Sequence, residues 1–342
     1  MVMKKITIIG ASGYTGLELV RIALNHPHFE ITNLVADSNA GKAYSEVYPS
    51  FENVTLPDLI SLDELDPEEC DLIFCGLPHT TSQRVIKDLF GRTRIVDLSA
   101  DFRLQSISEY QKWYGNQHLA PEIQEKAVYG LTEFYREEIS SAYLVACTGC
   151  NAATGLYPLI PLLEKEVISS EGIILDLKAG VSGAGRAAKV NTLFAELSEG
   201  CQPYNPVYHR HLAEFDQELT KFANKQVEVS FTPHLIPMNR GILATIYVEG
   251  KVDEIYQTLV ERYSEERFIH VLPKGKVPST RHVRGSNFVY LGVMEDRIAG
   301  RVKLFSVLDN LTKGSSGQAI QNANIMLGLD EGTGLSMIPL VP

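Results

Sequence analysis

The sequence predicts an α/β protein of two domains: a doubly wound parallel sheet, then an α+β unit on a mixed, mostly antiparallel sheet. Three observations carry this. The 342 residues exceed one ordinary core. Near-continuous apolar strands alternate with helical segments as far as residue 146. Beyond residue 164, strand-like runs follow one another with long polar or glycine-rich connections.

KKITIIG (4–10) is a β-branched run ending in glycine, followed by ASGYTG and then LELVRIALNH, where Leu17, Val20 and Leu24 fall on one helical face. Strand, turn and helix thus carry glycines at 10, 13 and 16. Glycine lets the backbone turn tightly and lets a pyrophosphate approach a helix N-terminus, whose N–H groups and dipole favour anions. The element reads as a Rossmann-type dinucleotide turn. FEITNLVAD (29–37) is a second strand ending in Asp37, 21 positions after Gly16. A carboxylate there either meets an adenosine ribose hydroxyl or caps the following turn; both readings stand. DLIFCGLP (71–78), TRIVDLS (93–99) and AYLVA (142–146) are further strands, and TTSQRVIKDLF (80–90) is a helix between two of them. Ligands bind such sheets at the carboxyl ends of the strands, which makes the loops 77–79 and 99–103 site candidates.

In the second half GIILDLK (172–178), KQVEVSFTP (225–233), GILATIYVEG (241–250), NFVYLGV (287–293) and VKLFSVLD (302–309) are strand-like, and VDEIYQTLVERYSEE (252–266) is helical. The tail KGSSGQAIQNANIMLGL (313–329) is a turn and helix expected to return to the first domain. The expected division is 1–148 with about 312–342 for the dinucleotide domain, and 149–311 for the catalytic and oligomerisation domain. Polar residues gather in this half: HRH (209–211), His234, Asn239 and Arg240 in TPHLIPMNRG, GSN (285–287) and DN (309–310).

Composition limits the partners. The chain is 44% hydrophobic and 21% charged, with 31 Lys+Arg against 42 Asp+Glu and a formal net charge of −11. Nucleic acid and anionic membranes are gripped through clustered Lys and Arg, so neither is expected as a partner. No apolar stretch approaches bilayer length, and MVMKKITIIGASG runs straight into a strand and turn, so a cytoplasmic location is expected. Five cysteines (70, 75, 147, 150 and 201) are expected as thiols.

ACTGCNAATG (146–155) holds Cys147 and Cys150 in C-x-x-C spacing. A zinc site needs a second ligand pair that the chain does not supply, so no metal is expected. A redox pair would have a stiffer spacer and a smaller fold around it. Cys147 directly follows an apolar strand and reads as packing. Cys150 lies after a glycine at the start of a helix running to about Glu164, where the helix terminus favours a thiolate. Beside a nicotinamide site, a thiolate invites attack on an acyl group with hydride transfer, and His209 or His211 would be its acid/base partner.

The chain resembles the N-acetyl-γ-glutamyl-phosphate reductase family, related to aspartate-semialdehyde dehydrogenase. The resemblance is carried nearly end to end by GASGYTGLELVR, LSADFRL, VYGLTEFYREEI, TGCNAATGLYPL, GVSGAGRAAKV, PYNPVYHRHLAEFDQEL, FTPHLIPMNRGILATIY and DNLTKGSSGQAIQNANIM. It implies an acyl-phosphate reductase of arginine biosynthesis with Cys150 as nucleophile and His211 as acid/base. Arg103, His209, Arg210 and Arg240 would hold the substrate's carboxylate and phosphate. Gly10, Ser12, Gly13, Tyr14, Thr15 and Gly16, with Ser182, Gly183 and Asn310, would lie along the cofactor. The implied cofactor is NADP(H), the substrate a small acyl phosphate, and the assembly a homo-oligomer, dimer or tetramer. Two departures stand out. The family usually has N-P-G-C-Y-P-T around the nucleophile, where this chain has C-T-G-C-N-A-A. That is closer to sister enzymes reducing a carrier-bound aminoadipyl phosphate, although a chain at −11 suits an acidic carrier poorly. Asp37 stands where the family often has an arginine for the NADP 2′-phosphate, which keeps NAD(H) open unless Lys42 compensates. The alternatives are another acyl-phosphate reductase of the superfamily and a non-catalytic dinucleotide-binding regulator.

Overall fold

The computed structural model describes residues 2–341. Among these, two compact units form, 2–148 with 315–336 and 149–314 with 337–341, each around one seven-stranded sheet. The division departs from the sequence expectation at two places. Residues 312–314 belong to the second unit. So does the tail from Met337, because Leu340 N donates to Arg284 O at 2.8 Å.

In the first unit the strands are β1 (Lys4–Ile9), β2 (Phe29–Val35), β3 (Leu59–Ile60), β4 (Leu72–Cys75), β5 (Arg94–Asp97), β6 (Val128–Tyr129) and β7 (Leu144–Ala146). They are all parallel, in the order β3-β2-β1-β4-β5-β7-β6. Thr7 is as fully buried as its neighbours Ile6 and Ile8. Both faces of β1 are therefore covered, which is why the strand reads as a continuous apolar run. The strand order reverses between β1 and β4, and a doubly wound sheet opens its ligand crevice at that reversal. The helix Tyr14–Ala23 differs from the expected face. It buries Leu19, Val20, Ile22 and Ala23, while Leu24 caps the helix and is 39% exposed.

The helix Gly317–Met326 lies in this unit against the helix Thr132–Ser141 and β5. Its Gln318, Gln321, Asn322 and Asn324 are fully buried. Buried amides need partners, and Asn322 accepts from Thr132 Oγ1 at 2.7 Å and donates to Gly130 O at 3.0 Å. Asn324 bonds His26 Nε2 at 2.9 Å and donates to the carbonyls of Glu331 and Thr333.

The second unit's strands are β8 (Ile174–Gly180), β9 (Gln202–Pro203), β10 (Ser230–Ile236), β11 (Ile242–Glu249), β12 (Ile269–Val271), β13 (Val289–Glu295) and β14 (Arg301–Leu308), in the order β12-β13-β14-β11-β8-β10-β9. Pairs β8/β10 and β12/β13 are parallel and the rest antiparallel, giving the mixed sheet expected. Burial alternates along β11 from Ile242 to Val248, with Leu243, Thr245 and Tyr247 half-exposed. One face thus meets the helices Cys150–Glu164 and Val252–Tyr263, and the other stays open. β10 begins at Ser230, later than the apolar pattern from 225 suggested. The helix His211–Ala223 starts at the last residue of HRH, a stretch for which the sequence reading had assigned no helix. Among the described residues, no helix is long and apolar enough to cross a membrane.

Candidate active site

In the first unit, the turn after β1 is shaped by steric necessity. Gly10 has φ +80°, and a Cβ there would sit 2.6 Å from Gly76 O, in the loop after β4. A Cβ on Gly16 would sit 2.4 Å from Gly10 O and 2.6 Å from Ala11 Cα. The turn is pinned by Gly10 N and Ala11 N, which donate to Val35 O at 2.9 and 3.0 Å. Tyr44 OH and Tyr48 OH donate to Ala11 O and Ser12 O at 3.1 and 2.8 Å, and Ser316 Oγ donates to Thr15 O at 2.9 Å. Gly13 precedes the helix as its N-cap. Gly10, Ser12, Gly13, Tyr14, Thr15 and Gly16 therefore form one rigid cradle at the strand-order reversal, open to a helix N-terminus. Its shape fits the pyrophosphate of a dinucleotide. Asp37 is exposed just beyond β2 and its Oδ1 accepts from Leu62 N at 3.0 Å. It caps a turn and still faces solvent.

The two candidate loops of this unit are tied by one carboxylate that sequence reading did not single out. Asp101 accepts from Thr80 N at 2.7 Å, Gln83 N at 3.2 Å and Tyr110 OH at 2.7 Å. Thr80 has φ +70°, an uncommon conformation for a β-branched residue, held by that contact. Arg103 is buried, with Nη2 donating to Leu98 O at 3.2 Å. The Cys147 thiol, in the same unit, is pushed up to about 12 by burial and is a packing residue.

In the second unit, Cys150 is the first residue of the helix Cys150–Glu164, with Gly149 as its N-cap. Gly149 N donates to Glu214 Oε2 at 2.9 Å, and Glu214 is fully buried. The other oxygen of Glu214 lies 3.9 Å from His211 Nε2. Cys150 Sγ lies 3.8 Å from Asn151 Oδ1, and Asn151 Nδ2 donates to Tyr204 OH at 3.1 Å. The Tyr204 ring packs 5.5 Å from His209, and His209 packs 4.7 Å from His211. Cys150, the histidines, Glu214 and Tyr204 thus gather at the helix start.

His209 and His211 separate by burial. His209 is enclosed by Tyr204, Phe231 and His211, and burial, with the neighbouring His211 as a lesser cause, pushes it down to about 3. Its Nδ1 accepts from His211 N at 3.1 Å. A neutral ring does not attract an anion by charge, so as a substrate residue His209 would act as a hydrogen-bonding group. The unfolded imidazole has its ordinary value near 6.5. Below that pH the unfolded chain binds a proton that the folded site refuses, so stability present above about 6.5 is lost as pH falls toward 3. His26, lowered to about 4 by burial, acts in the same direction. Urea midpoints measured from pH 7.5 to 4.5 are expected to fall, and the fall is expected to be shallower in His209→Gln.

The remaining candidates meet around one loop. Asn310 Oδ1 accepts from Gly241 N at 2.8 Å, and its Nδ2 donates to Ser182 Oγ at 2.9 Å. A Cβ on Gly183 would find only Asn310 Nδ2, at 3.8 Å, so this edge is open. Arg240 Nη1 donates to Asp309 Oδ2 at 3.4 Å, and that buried carboxylate also accepts from Gly285 N, Leu311 N and Thr312 N. The loop then reaches Cys150, because a Cβ on Gly314 would lie 2.8 Å from Cys150 Cβ. Arg210 is exposed at the N-cap of the His211–Ala223 helix. Gly314 and Tyr204 carried no signal by themselves in the sequence; Glu214 carried one, a carboxylate three residues after His211.

Comparison with known proteins gives the family and the fold. Residues 5–142 match the family model described as semialdehyde dehydrogenase, NAD binding domain, and residues 150–310 match semialdehyde dehydrogenase, dimerisation domain. Solved structures share the fold. Aspartate semialdehyde dehydrogenase II from Vibrio cholerae has TM-score 0.73 at 18% identity, covering 95% of this chain and 99% of that one. The aspartate semialdehyde dehydrogenase with NADP from Candida albicans has TM-score 0.69 at 20% identity, covering 95% and 98%. The N-acetyl-gamma-glutamyl-phosphate reductase of Cereibacter sphaeroides is 57% identical, covering 99% of this chain and 100% of the relative. That of Ruegeria pomeroyi is 58% identical, covering 99% of both. Identity at that level across both units, with the glycine cradle and the thiol at its helix start in place, means that the chain belongs to the N-acetyl-γ-glutamyl-phosphate reductase family.

Proposed function

We infer that the protein reduces N-acetyl-L-glutamyl 5-phosphate to N-acetyl-L-glutamate 5-semialdehyde and phosphate, in arginine biosynthesis, through a thioester on Cys150. The observation that carries this is the placement of Cys150 as the first residue of a buried helix whose N-cap, Gly149, donates to the buried Glu214, the carboxylate 3.9 Å from His211. Free N–H groups of the first helical turn favour negative charge on sulfur and on the acyl oxygen. The thiolate attacks the acyl carbon, a tetrahedral oxyanion forms, and the C–O bond to phosphate breaks. When bound, a reduced nicotinamide dinucleotide would supply hydride to the thioester carbon, and a proton at the acyl oxygen would complete the thiohemiacetal. His211 gives and takes the proton at the acyl oxygen as the C–S bond breaks and the aldehyde leaves. Arg103, Arg210 and Arg240 supply the positive charge for carboxylate and phosphate, which a chain at −11 must provide locally.

The cradle from Gly10 to Gly16, with Ser182, Gly183 and Asn310, would hold the cofactor. NADPH is the reductant the family resemblance implies. Asp37, exposed at the end of β2, opposes a 2′-phosphate, and Lys42 is the base that counters it. Asp37→Arg is expected to raise the ratio of kcat/KM for NADPH over NADH by roughly tenfold or more; an unchanged ratio removes Asp37 from cofactor choice. The partner in assembly is a second copy of the chain. The open face of the second sheet presents half-exposed Leu243, Tyr247, Tyr290 and Phe305, and the family model for this unit is a dimerisation domain. No nucleic acid or membrane takes part, and the working location is the cytoplasm.

The deciding assay is phosphate-dependent oxidation of N-acetylglutamate semialdehyde, run beside aspartate semialdehyde. Faster turnover of the acetylated substrate supports the reading. Preference for aspartate semialdehyde makes this a different acyl-phosphate reductase, and no turnover of either leaves a dinucleotide-binding regulator.

A further inference from the structure

Asn151 directly follows Cys150, and its side chain has two different ends in two different contacts. Oδ1 faces Cys150 Sγ at 3.8 Å, and Nδ2 donates to Tyr204 OH at 3.1 Å. Asn151 is buried at 3% exposure, so neither end can turn to bulk water. The contacts suit a thiol, whose S–H donates weakly to an amide oxygen. They do not suit a thiolate, because the negative end of the amide would then face the sulfur anion. Rotating the amide by half a turn exchanges its nitrogen and oxygen with almost no change in shape. The N–H then donates to sulfur and the oxygen faces Tyr204, whose hydroxyl can donate as readily as accept. Burial, opposed by the Asn151 contact and reinforced by Cys150, holds the Tyr204 phenol up at about 12, so its proton stays available for that donation.

We propose that Asn151 binds the Cys150 thiolate and that Tyr204 is its positioning partner, the amide reversing its direction as the nucleophile ionises. The thiol proton leaves to His211 or solvent, and Asn151 and Tyr204 keep their own protons throughout, so the pair changes hydrogen bonds and transfers nothing. In the thiolate state the order is Tyr204 O–H to Asn151 Oδ1 and Asn151 N–H to sulfur, a charge-assisted bond supported by a second donor. The proposal rests on Cys150 being the nucleophile.

The test is the pH dependence of iodoacetamide alkylation at Cys150, followed by peptide mapping, in the intact protein and in Asn151→Ala and Tyr204→Phe. A hydrogen bond to a charged group is worth enough to move the inflection upward by about one to two pH units in Asn151→Ala. Tyr204→Phe keeps the ring packed on His209 and removes only the hydroxyl; about half a unit upward is expected. Adding Tyr204→Phe to Asn151→Ala is expected to change nothing further, because the second donor acts through the first. An unmoved inflection in either single variant, or additive shifts, overturns the pairing. Turnover of Cys150→Ser separates the failures: full turnover there defeats the nucleophile reading, whereas an inactive Cys150→Ser beside an unmoved Asn151→Ala defeats only this proposal.

Discussion

Cys150→Ser is expected to lose turnover by roughly a thousandfold or more while keeping its cofactor affinity. A serine hydroxyl in the same place has nearly the same size, so the helix start and the Gly149–Glu214 contact at 2.9 Å should persist. What is lost is an anion: the helix N-terminus and Asn151 assist a thiolate at working pH, but an alcohol remains protonated there and is a poor attacker without a strong base. No neighbour can substitute. Burial pushes Cys147 up to about 12 and raises Cys75 further, so neither forms a thiolate near neutrality. Cys201 is exposed in the connection before β9. The check has two parts. Steady-state reduction of the acyl phosphate measures the loss, and mass spectrometry after mixing substrate without reductant looks for an acyl adduct on the Cys150 peptide. Turnover within tenfold of wild type in the serine variant, or an adduct elsewhere, defeats the covalent mechanism.

The nucleotide half was largely legible in the sequence and the thiol half only partly, for physical reasons that differ. The Gly10–Gly16 turn is local: Gly10 and Gly16 are forced by contacts of 2.4 to 2.6 Å within a few residues or with the adjoining strand end, and local sterics write themselves into local spacing. Strands β1, β4 and β5 are covered on both faces, and such strands declare themselves as unbroken apolar runs. The spacing of Glu214 from His211 was readable, but its hold on Gly149 was not, because the N–H it accepts belongs to a residue 65 positions away. The helix Gly317–Met326 was legible as a helix, but its amide side chains look like a solvated face, and only their partners at 26, 130, 132 and 133 explain their burial. Adjacent histidines cannot be told apart in a string such as HRH. In the fold one is enclosed by aromatic rings and neutral, and the other begins a helix beside a carboxylate.

Glu214 then becomes the residue whose change should reach both stability and chemistry. Its Oε2 accepts the Gly149 N–H that fixes the nucleophile's turn. Its Oε1, at 3.9 Å from His211 Nε2, is too distant for a full hydrogen bond and acts mainly through charge. Glu214→Gln separates these roles, since the amide oxygen can still accept from Gly149 while the negative charge is gone. Its thermal midpoint is expected to stay near wild type. Removing a negative neighbour weakens proton binding by His211, so the inflection that His211 contributes to the kcat profile is expected to move to lower pH by about one unit. Less acid is then present at neutral pH, and kcat should fall roughly tenfold. Glu214→Ala removes the acceptor as well, leaving a buried N–H unsatisfied at a cost of about 1–3 kcal/mol and a looser nucleophile turn. There kcat is expected to drop by roughly a hundredfold, with a lower urea midpoint. A glutamine variant with an unmoved pH profile would make Glu214 a purely structural support of the Gly149 turn, whereas a shifted profile with intact stability assigns its charge to His211.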